Sequence, residues 1–253
     1  PDPNPIFLSK MGDKKEWQAI YDSLTGADKP DYSDAQPTYQ KHEIDTFLGE
    51  LEFPLYFLDY ETMAGVVPYF DGHRPYQQVP SQYSLHILDS PDAELRQKEY
   101  LHRENTDPSL PIAQHLVEDV GTNGSIITWN AGFEKSCNVT LGKLNPEFAD
   151  AMEAINERIV DLMIPFKPKN GWYSDPRFEG SASIKYVLPV VVPSLSYKEL
   201  DIQNGGSAQS LWMQAVLDGT RDDKEKILDD LIKYCGLDTL AMVEIYNVLR
   251  NLE

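Results

Sequence analysis

Residues 55–63 read LYFLDYETM, and this run decides the fold. Apolar and aromatic side chains fill most of it, as expected of a strand covered on both faces, and Pro54 stands just before it. Asp59 and Glu61 are set into the run two positions apart, so the period of two puts both carboxylates on one face of the sheet. Two anions side by side in an apolar strand repel each other and lose hydration, so they need raised pKa values or a cation. Oxygen-only ligands point to a hard ion, Mg2+ or Mn2+. On these residues alone a plainer reading stays open, in which the strand ends at Tyr60 and Glu61 is solvated.

Working outward, a Pro- and Gly-bearing loop follows, and then QYSLHIL and RQKEYLH read as two more strands, giving an antiparallel start. Ser109 to Val120 has a helical pattern, and SIITWN is a short apolar strand after Gly121 and Gly124, which implies a crossover. AGFEKSCNVTLGKL and PEFADAMEAINERI are helical, IVDLMIPF is a strand or turn, and Gly171 to Gly180 is a loop. SASIKYVLPVVV and SAQSLWMQAVLDG read as short helices around a loop carrying Pro193. A last helical pattern runs from Asp222 to Leu252, with Gly236 as a place for a kink. The expected fold class is α/β, a mixed central sheet with three antiparallel strands first and then parallel crossovers, flanked by helices. Residues 1–40, rich in Pro, Asp, Lys and Ser with one helical pattern around Trp17, Ile20, Tyr21 and Leu24, are expected to be an extended or helical appendage to a domain over 41–253.

With 41% apolar and 25% charged residues, the 253-residue chain can bury one substantial core. Cys137 and Cys235 are far apart in sequence and in no paired spacing, which argues against a disulfide framework or a thiolate zinc site. No run approaches the roughly 18 apolar residues of a membrane span, and the N-terminus lacks the pattern of a signal peptide. A soluble, cytoplasmic protein without membrane contact is expected. Pro1 in place of an initiator Met raises the expectation of further domains in a longer parent protein. The formal charge of −19 opposes a polyanionic partner, although acidic residues gathered at a metal site are neutralised by the metal.

Two later motifs join the first. YCGLD puts Tyr234 and Asp238 at i and i+4, on one helical face, and WNAGFEKSCN sets Asn130, Phe133 and Glu134 where a strand turns into a helix. Taken singly, a core tyrosine and a capping or solvated aspartate explain these residues as well. The order D-x-E, then N-x-x-F-[D/E], then Y-x-x-x-D resembles the DEDD (DnaQ-like) 3′-5′ exonucleases over about residues 54–252. With Tyr234 four before Asp238 and Lys233 where a histidine would stand, it resembles the tyrosine subtype. The wording FLDYET, PYQQVPSQYSLH and YCGLDT is also similar to a bacterial domain-of-unknown-function family grouped with these enzymes.

The resemblance implies a ribonuclease H-like fold and a hydrolase that removes nucleotides from the 3′ end of DNA or RNA. It implies Asp59, Glu61, Glu134 and Asp238 as ligands of Mg2+ or Mn2+, two ions when substrate is bound, with Tyr234 orienting the attacking water. Thr62, Met63, Tyr76, Gln77, Gln78, Asn130 and Phe133 are the expected substrate contacts, with Tyr69, Phe70, His73 and Arg74 of the same loop region as further groove candidates. The second motif normally carries Asp, and the longer Glu134 puts the second ion in question, so one firmly held ion is expected in the free protein. Asp161 is either a further acidic neighbour or a cap. Two rivals remain open on the sequence: a binding module of the same fold with weak or no catalysis, and a metal-dependent phosphoesterase acting on small molecules.

Overall fold

The computed structural model describes residue 32 and residues 34–253, so the helical pattern around Trp17 lies outside the described residues. Chain contacts divide the protein into Pro1–Gln36 and Pro37–Glu253, and the second unit carries everything below. In chain order its elements are β1 (Thr38–Tyr39), α1 (Lys41–Gly49), β2 (Leu55–Met63), β3 (Val79–Leu88), β4 (Arg96–Leu101), α2 (Ser109–Val120), β5 (Ser125–Thr128) and α3 (Ala131–Leu144). They are followed by α4 (Ala149–Glu157), β6 (Ile159–Asp161), β7 (Tyr173–Ser174), α5 (Ile184–Val191), α6 (Gly205–Trp212) and α7 (Lys224–Arg250), with short 3-10 turns between and a π-helical turn, Met213–Leu217, continuing α6. The Gly171–Gly180 stretch, read from its turn residues as loop, contains β7, which pairs with β1 in a two-stranded ribbon.

The main sheet has five strands in the order β4-β3-β2-β5-β6. β2 pairs antiparallel with β3, β3 antiparallel with β4, and β2 parallel with β5, which is parallel to β6. The sheet is thus mixed as the sequence predicted, with β2 near its middle. All ten positions of β3 are buried, because both of its edges are paired and both of its faces are covered. β4 is an edge strand, and it exposes Arg96, Lys98 and Glu99, charges that blunt pairing with another chain.

Alternation along β2 separates two cores. Tyr56, Leu58 and Tyr60 pack against α2, α3 and α4, while Leu55 and Phe57 face α7, with the Phe57 ring 5.7 Å from that of Tyr246. α7 is an unbroken helix of 27 residues. It runs through Gly236 without interruption, and a Cβ there would come within 3.0 Å of the Gln97 side chain, so the missing side chain leaves room for β4. Small residues continue along this face, where Thr239 Oγ1 lies 2.8 Å from Ser84 Oγ and 2.7 Å from His86 Nδ1.

The entry to β5 is held by a second close approach. Gly124 has φ +85°, and a Cβ there would run into the backbone of Pro54. Gly124→Ala is therefore expected to destabilise the protein by at least about 1–3 kcal/mol, the usual cost of a side chain in that backbone region. A urea midpoint equal to that of the parent would show that the β2–β5 junction is not constrained as described.

Candidate metal centre

β2 pairs with β5 only through Leu55, Tyr56 and Phe57, so its last residues run on past the end of β5. Ligands of open α/β sheets bind in such a crevice at the carboxyl ends of strands. Asp59 and Glu61 stand there, on the face that carries Leu55 and Phe57. The strand continues to Met63, so Glu61 belongs to the ladder, with a register shift between Glu61 and Thr62 where the β2–β3 pairing bulges.

α7 crosses this face and brings Tyr234 and Asp238. One carboxylate oxygen from each of Asp59, Glu61 and Asp238 lies within 4.8 Å of the others. The three line a cavity of about 260 Å³ with Thr62, Phe133, Lys185, Gln209 and Tyr234 on its walls. Tyr197, in the linker between α5 and α6, donates to Asp238 Oδ1 at 2.6 Å, and its ring lies 6.1 Å from Tyr234. Beneath the site Cys235 Sγ approaches the Asp59 carbonyl at 3.7 Å and Asp59 Oδ2 at 3.9 Å.

Crowding and burial dominate the electrostatics. Burial, then Asp238, Glu61 and Glu134, raise the Asp59 carboxyl well above its ordinary value. Burial and Asp238 push Glu61 to about 8, although the Lys185 charge pulls the other way. Asp238 rises only to about 6: burial raises it, and the hydrogen bond from Tyr197 together with Lys185 restrains it. The Tyr234 phenol is pushed further above 10 by burial and by Asp238, so it is a hydrogen-bonding group and not a base at neutral pH.

Glu134 takes a different position. It lies in the first turn of α3, buried, with Oε2 lacking any hydrogen-bond partner, and burial raises it to about 8. Its charge reaches Asp59, yet it is not among the three carboxylates that converge within 4.8 Å. The three converging acids suit a hard divalent cation, which would remove their mutual repulsion, while Glu134 keeps an orphaned buried oxygen apart from them.

The other predicted residues scatter. Thr62 and Phe133 line the cavity, and Gln78 hydrogen-bonds to Thr62. Met63 is buried in an apolar cluster with Val79 and Trp212, away from the cavity wall. Tyr76 is 69% exposed at φ 58°, Gln77 accepts from the Arg74 backbone N–H, and the exposed Asn130 sits at φ 77° just before α3. Tyr69 approaches Asp218 at 3.5 Å, Phe70 packs edge-on against His73, and His73 lies 3.1 Å from Asp107. Asp161 is taken up as a cap, accepting from the Asn130 and Met163 backbone N–H groups and pairing with Lys167 at 2.7 Å. Lys185, Tyr197 and Gln209 fall in no recognisable spacing in the sequence, and Cys235, noted there only as one of two unpaired cysteines, stands beside Asp59.

Fold and site together define an α/β protein with a mixed five-stranded sheet and a cluster of half-buried acids at the carboxyl end of its central strand. The chain belongs to the family described as Domain of unknown function (DUF2779), which it matches over residues 56–183. That stretch holds Asp59, Glu61 and Glu134 and stops short of Tyr234 and Asp238. The chain is also 26% identical over 215 residues to Uncharacterized protein MG366 of Mycoplasma genitalium, covering 78% of this chain and 32% of that protein. It is 26% identical over 218 residues to the MG366 homolog of Mycoplasma pneumoniae, covering 75% and 31%. The chain thus spans about a third of the length of these curated relatives. No solved structure matches. Among the described residues no helix is long and apolar enough to cross a membrane.

The raised acids set a pH dependence. In the folded, metal-free protein Glu61 and Glu134 hold protons up to about pH 8 that the unfolded chain releases near its ordinary value of 4.5. The folded state therefore binds more protons across this window, and stability falls as pH rises. Below about pH 7.5 His86, lowered to about 4 by burial, and His102, also lowered by burial, work in the opposite direction, so the clean interval runs from about pH 7.5 to about pH 9. Each unit of pKa displacement corresponds to about 1.4 kcal/mol, so a fall of several degrees in Tm is expected in chelator, reversed by Mn2+. A Tm that stays level over that interval would mean that the carboxyls ionise freely without metal.

Proposed function

We propose that the Pro37–Glu253 unit is a ribonuclease H-like, metal-dependent 3′-5′ exonuclease acting on DNA or RNA. The observation that carries this reading is the convergence of Asp59, Glu61 and Asp238 from two elements far apart in sequence, with Tyr234 one helical turn from Asp238. The strand order supports the fold assignment: three antiparallel strands lead, and two parallel ones follow on the other side of the first. In the reaction a water oxygen attacks the terminal phosphorus and the bond to the 3′ oxygen breaks. The 3′ oxygen leaves with a proton, giving a nucleoside 5′-monophosphate and a chain shorter by one.

Asp59, Glu61 and Asp238 would hold the first divalent ion, and Glu134 would approach a second. Such ions lower the pKa of water and stabilise the leaving oxygen. Tyr234 orients the attacking water by hydrogen bond. Phe133 and Thr62 line the space beside the acids and would bound the terminal nucleotide. The test is incubation of the protein with end-labelled DNA and RNA, with and without Mn2+: a ladder shortening from the 3′ end supports the reading. Intact polymers, together with binding that survives Asp59→Asn, would favour a non-catalytic binding module.

Two quantitative expectations follow. Tyr234→Phe keeps the ring that packs beside Tyr197 and removes a hydroxyl that also bears on Asp238, so metal affinity should fall by less than about tenfold while kcat drops about 10²-fold. Equal rates would remove Tyr234 from the reaction. In calorimetric titration of the free protein one Mn2+ should bind firmly, because Glu134 stands apart from the other three acids. A second ion should bind firmly only when a non-hydrolysable nucleotide is added. Two tight sites in the free protein would show that Glu134 completes the second position unaided.

A further inference from the structure

Lys185 stands on the wall of the carboxylate cavity, in the first turn of α5. It is the one basic residue among those lining that cavity. Its charge reaches Glu61 and Asp238 and favours their ionised forms. Yet among the described residues it forms no ion pair, whereas Lys98, Lys167, Lys226 and Lys233 are each paired within 3.0 Å of a carboxylate. An ammonium on the wall of a nest of acids, in contact with no carboxylate, keeps three donors for a ligand.

We propose that Lys185 is a further substrate-contacting residue whose ammonium holds the phosphodiester in this cavity, and that the substrate is gripped at one terminal phosphate and not along a polymer backbone. This rests on the exonuclease reading above. Charge balance agrees with it: four carboxylates offset two divalent ions, which leaves one positive charge for the single negative charge of a phosphodiester. The adjoining hollow, reached across Gln209, is bounded by residues 64–69 and by Ser210, Met213, Gln214 and Asp218, with no basic residue among them. A chain of formal charge −19 offers little further attraction to a polyanion. Short oligonucleotides are therefore the fitting substrate class.

Three measurements test this. Lys185→Met should lower kcat/KM about 10²-fold, and Lys185→Arg should recover it to within about tenfold, since the positive charge is what contacts phosphate. Mn2+ titration of the metal-free protein should be no weaker in Lys185→Met than in the parent, while calorimetric binding of a nucleoside 5′-monophosphate in Ca2+ should weaken at least tenfold. For the parent, log kcat/KM against log salt should fall with a slope of about 0.7, the value for one neutralised phosphate on a single strand, and a 3-mer should be cut as efficiently as a 30-mer. Equal nucleotide binding in Lys185→Met and parent, with the parent active, overturns the lysine contact alone. A slope of about 2 or more, or strong preference for the 30-mer, overturns the single-phosphate grip. A parent inactive on every oligonucleotide overturns the exonuclease reading and this proposal with it.

Discussion

Mutual repulsion among Asp59, Glu61 and Asp238, held within 4.8 Å, is the constraint that the surrounding structure must oppose. The protein does not relieve it with a matching set of arginines. It places one lysine on the wall, gives Asp238 hydrogen bonds from Tyr197 and Tyr234 and Asp59 a weak one from Cys235, and still leaves the acids with raised pKa values. Burial and mutual repulsion outweigh what opposes them, so Glu61 is pushed to about 8 and Asp59 well above its ordinary value.

What keeps the acids together is apolar packing on either side of them. On the same face of β2, Leu55 and Phe57 precede the pair and lie in one cluster with Met242 and Tyr246, while Met63 follows the pair and lies in another with Leu231 and Tyr234. The charged positions occupy the gap between two dry contacts of β2 with α7. Burial of several large side chains, each worth about 1.5–3 kcal/mol, fixes helix against strand, so the carboxylates cannot separate without disturbing both clusters.

Much of this was legible in the sequence because it obeys local periods. The apolar content of LYFLDYETM marks a buried strand, its period of two sets the acids side by side, and the i, i+4 spacing pairs Tyr234 with Asp238. At Gly236 the sequence shows a place for a kink, while the close approach of Gln97 depends on a strand more than a hundred residues away. β7 was read as loop because two residues paired with Thr38 and Tyr39 leave no periodic trace. Lys185 and Tyr197 could not be found at all, since their place at the site depends on how the linker between α5 and α6 folds back over α7. Met63 shows the opposite error. It shares a face with the acids and is still core, because the bulge after Glu61 ends the open part of the strand.

The hydrogen bond from Tyr197 to Asp238 has a mechanical consequence. Tyr197 packs against both apolar clusters while its hydroxyl grips one oxygen of a carboxylate that faces the cavity. That oxygen keeps a lone pair for a second partner, so a ligand can join it beside the phenol, and a carboxylate already held at one oxygen has less freedom to lose when a ligand binds. Tyr197 lies in the linker that joins Lys185 on one side to Gly205 on the other, and Gly205 sits against Glu61. One hydroxyl thus ties the chain around the cavity to an acid that lines it.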